Sequence, residues 1–395
     1  MAAETVPESY RGREQAYVKH KLLGGYLERL FLIVGSSMNL LGLSELCYVD
    51  CFAGPWQDDS DELASTSIAV ALKAMARTRD ALAGVGRSVT YRALFIEKRK
   101  RRYAKLKGFL DTHRQEGIAA EAWNGEFIER RQAILDWCGG NSFAFLFIDP
   151  TGWKDVGVKD LAMLLQRPNT EFLINFMYAN VNRTITWERS LPQVINLLGT
   201  VPDLAGASPE EREIAIIRQY CSALKSRLSC RGGNGFSASA CVLEPNRDRT
   251  IYHLVYATCH PKGLIEFMEQ SESVMPIQSN VRIEAKQFRR IEKSRQSELF
   301  AASEISNPPV LKSDGGRIEQ FWLDYVARGP RKIDSEAFAR ILEEYGWFPS
   351  QVQGALGQLI RAGKIRNLGA QGSRRTKRFV HYEKGETLTL VAEAE

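Results

Sequence analysis

Helical periodicity alternates with short apolar runs along the first half of the chain. From Tyr17 to Leu32, the positions Leu22, Leu23, Tyr26, Leu27, Leu30 and Phe31 share one helical face, which predicts a helix ahead of the first strand. Strands are then expected near 46–51, 90–97, 120–123, 143–149 and 171–177, with helices at 64–79, 98–110, 126–138 and 156–166 between them. That alternation marks right-handed βαβ crossovers and a parallel sheet. The runs at 143–149 and 171–177 are almost wholly apolar, as strands covered by helices on both faces must be.

The second half changes character twice. Residues 182–235 read as mostly helical, after which 237–243 and 250–259 flank a polar turn and form a hairpin signal. From residue 279 the chain turns polar and helical, and Pro308, Pro309 and the run 313–316 mark a linker. Three short helical patterns follow, at 318–327, 335–345 and 349–362. A strand in IRNLG, a basic loop and a strand in FVHYE complete what reads as a winged helix. The expected division is residues 1–278, a Rossmann-like domain; 279–313, a polar helical linker; 314–384, a winged helix-turn-helix; and 385–395, a tail.

Chemistry concentrates at the ends of the predicted strands. The first runs into YVDCFAGPW, Tyr48 to Trp56, an apolar strand that ends on Asp50 and breaks into the turn Phe52, Ala53, Gly54, Pro55. Gly54 lacks a Cβ, so backbone N–H groups can approach a nucleotide-like ligand there. The second strand ends in Glu97, followed by Lys98, and a carboxylate at that place can accept both hydroxyls of a ribose. Asn124-Gly-Glu126-Phe127 follows the third strand, where an adenine would lie, and Asp149-Pro150-Thr-Gly-Trp153 ends the fourth.

Three strands ending in carboxylates, with an antiparallel pair closing the sheet, give the layout of an S-adenosylmethionine (SAM) methyltransferase. A dinucleotide enzyme is disfavoured because no GxGxxG follows the first strand. In this reading Asp149 and Pro150 hold a target amine and Trp153 stacks on its base. Plainer readings stand beside each assignment. Asp50 and Asp149 suit turn caps, Glu97 a solvated strand end, Trp56 and Trp153 core walls, and His20 between Lys19 and Lys21 a surface helix end.

Charge adds a second site. The net charge is +6, but residues 314–383 carry 12 basic against 8 acidic residues, and Arg374, Arg375, Lys377 and Arg378 sit together in the expected wing. A basic hairpin tip suits a nucleic-acid backbone, with Gln351, Gln353, Gln358 and Arg361 as polar readers on the adjoining helix. Winged helices also dock proteins. The run KRKRRYAKLK after Glu97 reads as a solvated helix face that could touch phosphates.

The remaining composition sets bounds. No apolar run reaches the length of a membrane helix, and the start lacks a signal-peptide core, so a cytoplasmic protein with no membrane partner is expected. Seven scattered cysteines without CxxC spacing argue against a zinc site or a disulfide framework. Histidines 113, 253, 260 and 381 show no metal-ligand spacing, and no metal is expected.

With Lys19-His20-Lys21 leading to Tyr26-Leu27, then YVDCFAGPW, FIDPTGW and YHLVYATCHPKGL, roughly residues 10–275 resemble the three-Cys-motif partner proteins (TcmP). The resemblance implies a methyltransferase-like Rossmann domain in a prokaryotic or phage-associated protein. It also implies a neighbouring radical-SAM-like partner with a three-cysteine motif and, in some members, a winged-helix tail. Two positions depart from pattern: Trp56 replaces the glycine usual after FAGP, and DPTGW lacks the second proline and adjacent aromatic of an amino-methyltransferase motif. Two functions therefore stay open, a SAM-dependent methyltransferase acting on DNA or RNA and an inactive scaffold that binds nucleic acid or nucleotide and a partner protein.

Overall fold

The computed structural model describes residues 6–54, 63, 65–294, 315–370 and 378–391. Helix α1 (Glu14–Leu41) buries the predicted apolar face and stops at Gly42, which takes the left-handed conformation at φ 66°. The alternation then runs β1 (Glu45–Asp50), α2 (Ser67–Ala83), β2 (Thr90–Glu97), α3 (Lys100–Thr112), β3 (Ile118–Asn124), α4 (Phe127–Cys138), β4 (Ser142–Ile148), α5 (Val158–Leu165) and β5 (Thr170–Phe176). Helices α6 (Tyr178–Thr184), α7 (Leu191–Leu198) and α8 (Pro209–Lys225) precede the hairpin β6 (Phe236–Leu243) and β7 (Thr250–Thr258). A complete capping box between Ser208 and Glu211 starts α8.

The seven strands lie in the order β3-β2-β1-β4-β5-β7-β6, all parallel except β7. This is a Rossmann-like, methyltransferase-type sheet. Side-chain alternation divides its two faces. Tyr48, Phe95, Phe145, Leu173, Leu254 and Tyr256 belong to a core shared with α1 and α2. Val49, Ile96, Leu146, Phe172, Ile174 and Val255 belong to a second core with α5, α7 and α8.

Helix α9 (Pro261–Ser294) runs unbroken through the residue where the polar linker is expected to begin. Beyond it come α10 (Gly315–Ala327), β8 (Arg331–Ile333), α11 (Ser335–Tyr345), α12 (Pro349–Arg361), β9 (Ile365–Asn367) and β10 (Glu386–Leu390). Strands β8, β10 and β9 form an antiparallel sheet in that order. The expected strand FVHYE is not one: Val380 is buried and Tyr382–Lys384 form a short 3-10 turn. The strand paired with β9 is instead Glu386–Leu390, part of the expected tail, where Glu386 and Leu388 point inward and the intervening threonines do not.

This C-terminal unit is fastened to the large sheet. Glu343 accepts the Ser237 N–H at 2.9 Å and pairs with Lys225 at 3.0 Å, and Arg340 donates to the Gly235 carbonyl at 3.0 Å. The Arg340 guanidinium also lies 3.8 Å from the Phe236 ring centroid.

The cysteine expectation fails at one pair. Cys230, between α8 and β6, and Cys259, just past β7, are bridged with Cα atoms 5.2 Å apart, because the antiparallel hairpin returns the end of β7 beside the start of β6. Sequence spacing carries no trace of that return. Reduction of this bridge should lower stability by about 3.6 kcal/mol, from loop closure in the unfolded chain. Urea unfolding of oxidised and reduced protein measures it.

Candidate functional site

In open α/β sheets, ligands sit beyond the carboxyl ends of the strands where the strand order reverses. Here that point lies between β1 and β4. The turn that leaves β1 is held from three sides. The fully buried Asp50 accepts the Phe52 N–H at 3.1 Å and the Ser67 hydroxyl at 2.6 Å. Cys51 N–H donates to the Phe147 carbonyl at 2.9 Å, and Ala53 N–H donates to the Ile96 carbonyl at 2.8 Å. Asp50 and Ala53 thus form the base of the turn, while Pro55 and Trp56 lie outside the described residues.

Beside this turn opens a groove of about 60 Å³, lined by Phe52, Gly54, Glu97, Lys98, Glu126 and Phe127 together with Asp155 and the arginines of the α3 entry. Residues expected to bind a cofactor from three separate segments are brought together there. Glu97 is buried. One of its oxygens accepts the Arg99 N–H at 2.6 Å, and the other has no hydrogen-bond partner among the described residues. Asn124 reaches back to the Glu97 and Lys98 carbonyls, at 2.8 and 3.2 Å, and so fixes the backbone that carries Glu97. Gly125 follows at φ 149°, a conformation suited to glycine, and admits the close side chain of Arg130. The Phe52 and Phe127 rings meet at 5.2 Å between centroids. Asp155 is half-buried, and burial raises its carboxyl above the ordinary range against the opposing charge of Lys98.

Asp149 occupies the carboxyl end of β4, as expected, but with partners that the motif does not announce. The Lys19 ammonium, from α1, forms an ion pair with one oxygen, and Asn175, from β5, donates to the other at 2.6 Å. Both charged side chains are largely shielded from solvent, at 12% and 18% exposure, so salt and water screen their attraction less than in a surface pair. Lys19 also lies 5.9 Å from the Tyr252 ring centroid. The Oδ1 atom of Asn175 is buried without a partner among the described residues. Pro150 is buried, and Trp153 packs half-buried against the second core. His20 is in the second turn of α1, not at a helix end, and its Nδ1 lies 3.0 Å from the Tyr10 hydroxyl.

Asn175 escapes the sequence reading although a signal exists: it is the polar residue near the carboxyl end of TEFLINF, an otherwise apolar strand end. Ser67 and the Lys19–Asp149 pairing are tertiary facts without a local signal.

Little of the expected nucleic-acid site falls within the described residues. Arg374, Arg375 and Lys377 lie outside the described residues, and Arg378 pairs with Glu383 and, at 3.3 Å, with Glu269. On α12, Gln351 caps its own helix through the Phe348 N–H at 3.0 Å. Gln353 is buried, accepting from the Phe379 and Val380 N–H groups at 2.8 and 3.1 Å. These two are structural ties, not base readers, and Gln358 and Arg361 remain exposed. A cleft of about 1210 Å³ lies between α8, β6 and α11 and is lined by none of the predicted site residues.

Burial raises the Asp50 carboxyl to about 7, with Asp149 adding to the rise while Ser67, the Phe52 N–H and Lys19 oppose it. An unfolded aspartate ionises near 3.9. Between these values the folded chain holds the extra proton, so this group's contribution to stability is complete below about pH 4 and declines as pH rises to about 7. Asp50→Asn, which cannot ionise, should therefore gain on the parent as pH rises from 4 to 8, by up to roughly 4 kcal/mol in the difference between the two proteins. Thermal melts of both proteins across pH test it, and a difference that stays constant refutes it.

No family model matches the chain, and no curated protein matches it. Two of the solved structures that are similar to the chain each share 10% identity with it. One is a Legionella pneumophila str. Philadelphia 1 protein of the DUF519 family model, with a TM-score of 0.36 over 70% of this chain and 94% of that one. The other is a loganic acid methyltransferase with SAH, with a TM-score of 0.28 over 98% and 99%.

Proposed function

We propose that the protein is a SAM-dependent methyltransferase whose cofactor lies along the groove beside the β1 turn. The observation that carries this reading is Glu97: a buried carboxylate at the end of β2 with one oxygen fixed and the other without a partner among the described residues, bordering the groove. Such an oxygen accepts ribose hydroxyls at little reorganisation cost. Glu97, Glu126 and Asp155 are balanced in this groove by Lys98, Arg99 and Arg102, so the reading rests on the place of Glu97 and not on net charge. Bound SAM supplies an electrophilic methyl group.

The fit has a condition. A groove of about 60 Å³ is smaller than a nucleoside. The exposed side chains of Lys98 and Arg99 must swing outward, which long solvated side chains do readily. The target would enter over Asp149, whose carboxylate, oriented by Asn175 and neutralised by Lys19, accepts an amine N–H and points the nitrogen lone pair at the methyl.

The acceptor class we propose is nucleic acid, DNA or RNA. We read the C-terminal order of helices and antiparallel strands as a winged helix, in which the basic residues at 374–378 would follow the phosphate backbone. A second reading, a methyltransferase-like scaffold for a partner such as a three-cysteine-motif protein, is favoured by α12. Its Gln351 and Gln353 are occupied by internal bonds.

Calorimetric titration with SAM and S-adenosylhomocysteine should show micromolar binding, and Glu97→Ala should weaken it at least about 10-fold, the loss of a charged hydrogen bond. Asp149→Asn should keep that binding and lose transfer of labelled methyl to RNA or DNA. Absence of binding to either ligand would overturn the cofactor assignment. Binding without transfer to any nucleic acid would favour the scaffold.

A further inference from the structure

On the β6–β7 hairpin, on the face of the sheet that carries α8, three residues of different chemistry converge. Cys241 and His253 are direct cross-strand partners, and Glu213 reaches them from α8. One oxygen of Glu213 lies 2.9 Å from His253 Nε2 and accepts the Thr250 hydroxyl at 2.7 Å, and the Thr250 hydroxyl lies 3.2 Å from the Cys241 sulfur. One ligand atom from each of Glu213, Cys241 and His253 can be chosen so that all three lie within 4.8 Å of one another. We propose that Glu213, Cys241 and His253 form a divalent-metal site, with zinc as the fitting ion.

Donor type supports zinc. A thiolate, an imidazole and a carboxylate are the ligands this ion shares among its sites, and three protein ligands leave a fourth position for water or substrate. Tetrahedral bonds of about 2.0 to 2.3 Å place ligand atoms about 3.3 to 3.8 Å apart, so the cluster has to adjust by about 1 Å. Thr250 already holds the carboxylate in place, as outer partners of metal ligands do.

His253 is 6% exposed and its Nε2 faces Glu213 at 2.9 Å, which makes Nε2 the ring nitrogen offered to a metal. The buried Nδ1 has no hydrogen-bond partner among the described residues and gains none from a metal at Nε2. An entry path exists as well. Glu213 and His253 both line the cleft of about 1210 Å³ between α8, β6 and α11. A metal here would sit in the wall of that cleft, on the face opposite Lys19 and Tyr252. The site does not depend on the SAM reading.

The test uses the full chain, stripped with a chelator and titrated with zinc chloride, with cobalt(II) as a spectroscopic probe. One equivalent of zinc should bind, and cobalt should give a thiolate-to-metal charge-transfer band. Cys241→Ser should abolish that band, and His253→Gln should weaken zinc binding at least about 100-fold. Zinc-free thermal melts show whether each variant is folded. If the variants do not fold, the parent decides alone, since absence of one-equivalent binding or of the thiolate band overturns the site. Unchanged zinc affinity in a folded Cys241→Ser variant also overturns it.

Discussion

Glu171 is a carboxylate buried inside β5, and its need for hydrogen-bond donors fixes where α1 must lie. Tyr26 donates to it at 2.8 Å and Thr258 at 2.9 Å, and the Tyr256 hydroxyl closes the cluster 2.5 Å from that of Tyr26. Burial raises the Glu171 carboxyl above its ordinary range while these donors hold it down. Removing a charged group from water costs several kcal/mol unless it is satisfied, so any other placement of α1 carries that penalty. Gly263 seals the cluster from α9: a Cβ there would lie 2.5 Å from the Tyr256 hydroxyl and 2.7 Å from Glu171.

The geometry at Asp149 follows from that anchor. Lys19 precedes Tyr26 by seven residues, two helical turns and about 10 Å, on the same face of α1. Asn175 follows Glu171 by four residues, about 13 Å, on the same face of β5. Helix and strand thus present two matched rungs, Tyr26 on Glu171 at one end and Lys19 with Asn175 around Asp149 at the other. The first rung sets the register of α1 against the sheet, and that register delivers Lys19 to Asp149.

This arrangement also explains what the sequence discloses. Strand ends, the groove residues and the antiparallel closure are local matters of alternation and turn chemistry, and so Phe52, Gly54, Glu97 and Phe127 are legible. Lys19, Asn175 and the Glu213–Cys241–His253 cluster are meetings of distant segments, which spacing alone does not encode. The C-terminal unit shows the opposite error. FVHYE has strand composition, yet Gln353 draws the Phe379 and Val380 N–H groups into bonds with α12 and leaves the pairing edge to ETLTL.

The bridge between Cys230 and Cys259 turns the β6–β7 hairpin into a covalent ring. Two stretches of that ring face solvent, residues 231–234 ahead of β6 and 247–249 at the hairpin tip. A peptide bond cut at either would not release a fragment: the N-terminal sheet and the C-terminal helices would remain a single molecule, joined through sulfur. Damage there would add only the mass of one water until a reductant let the two pieces part.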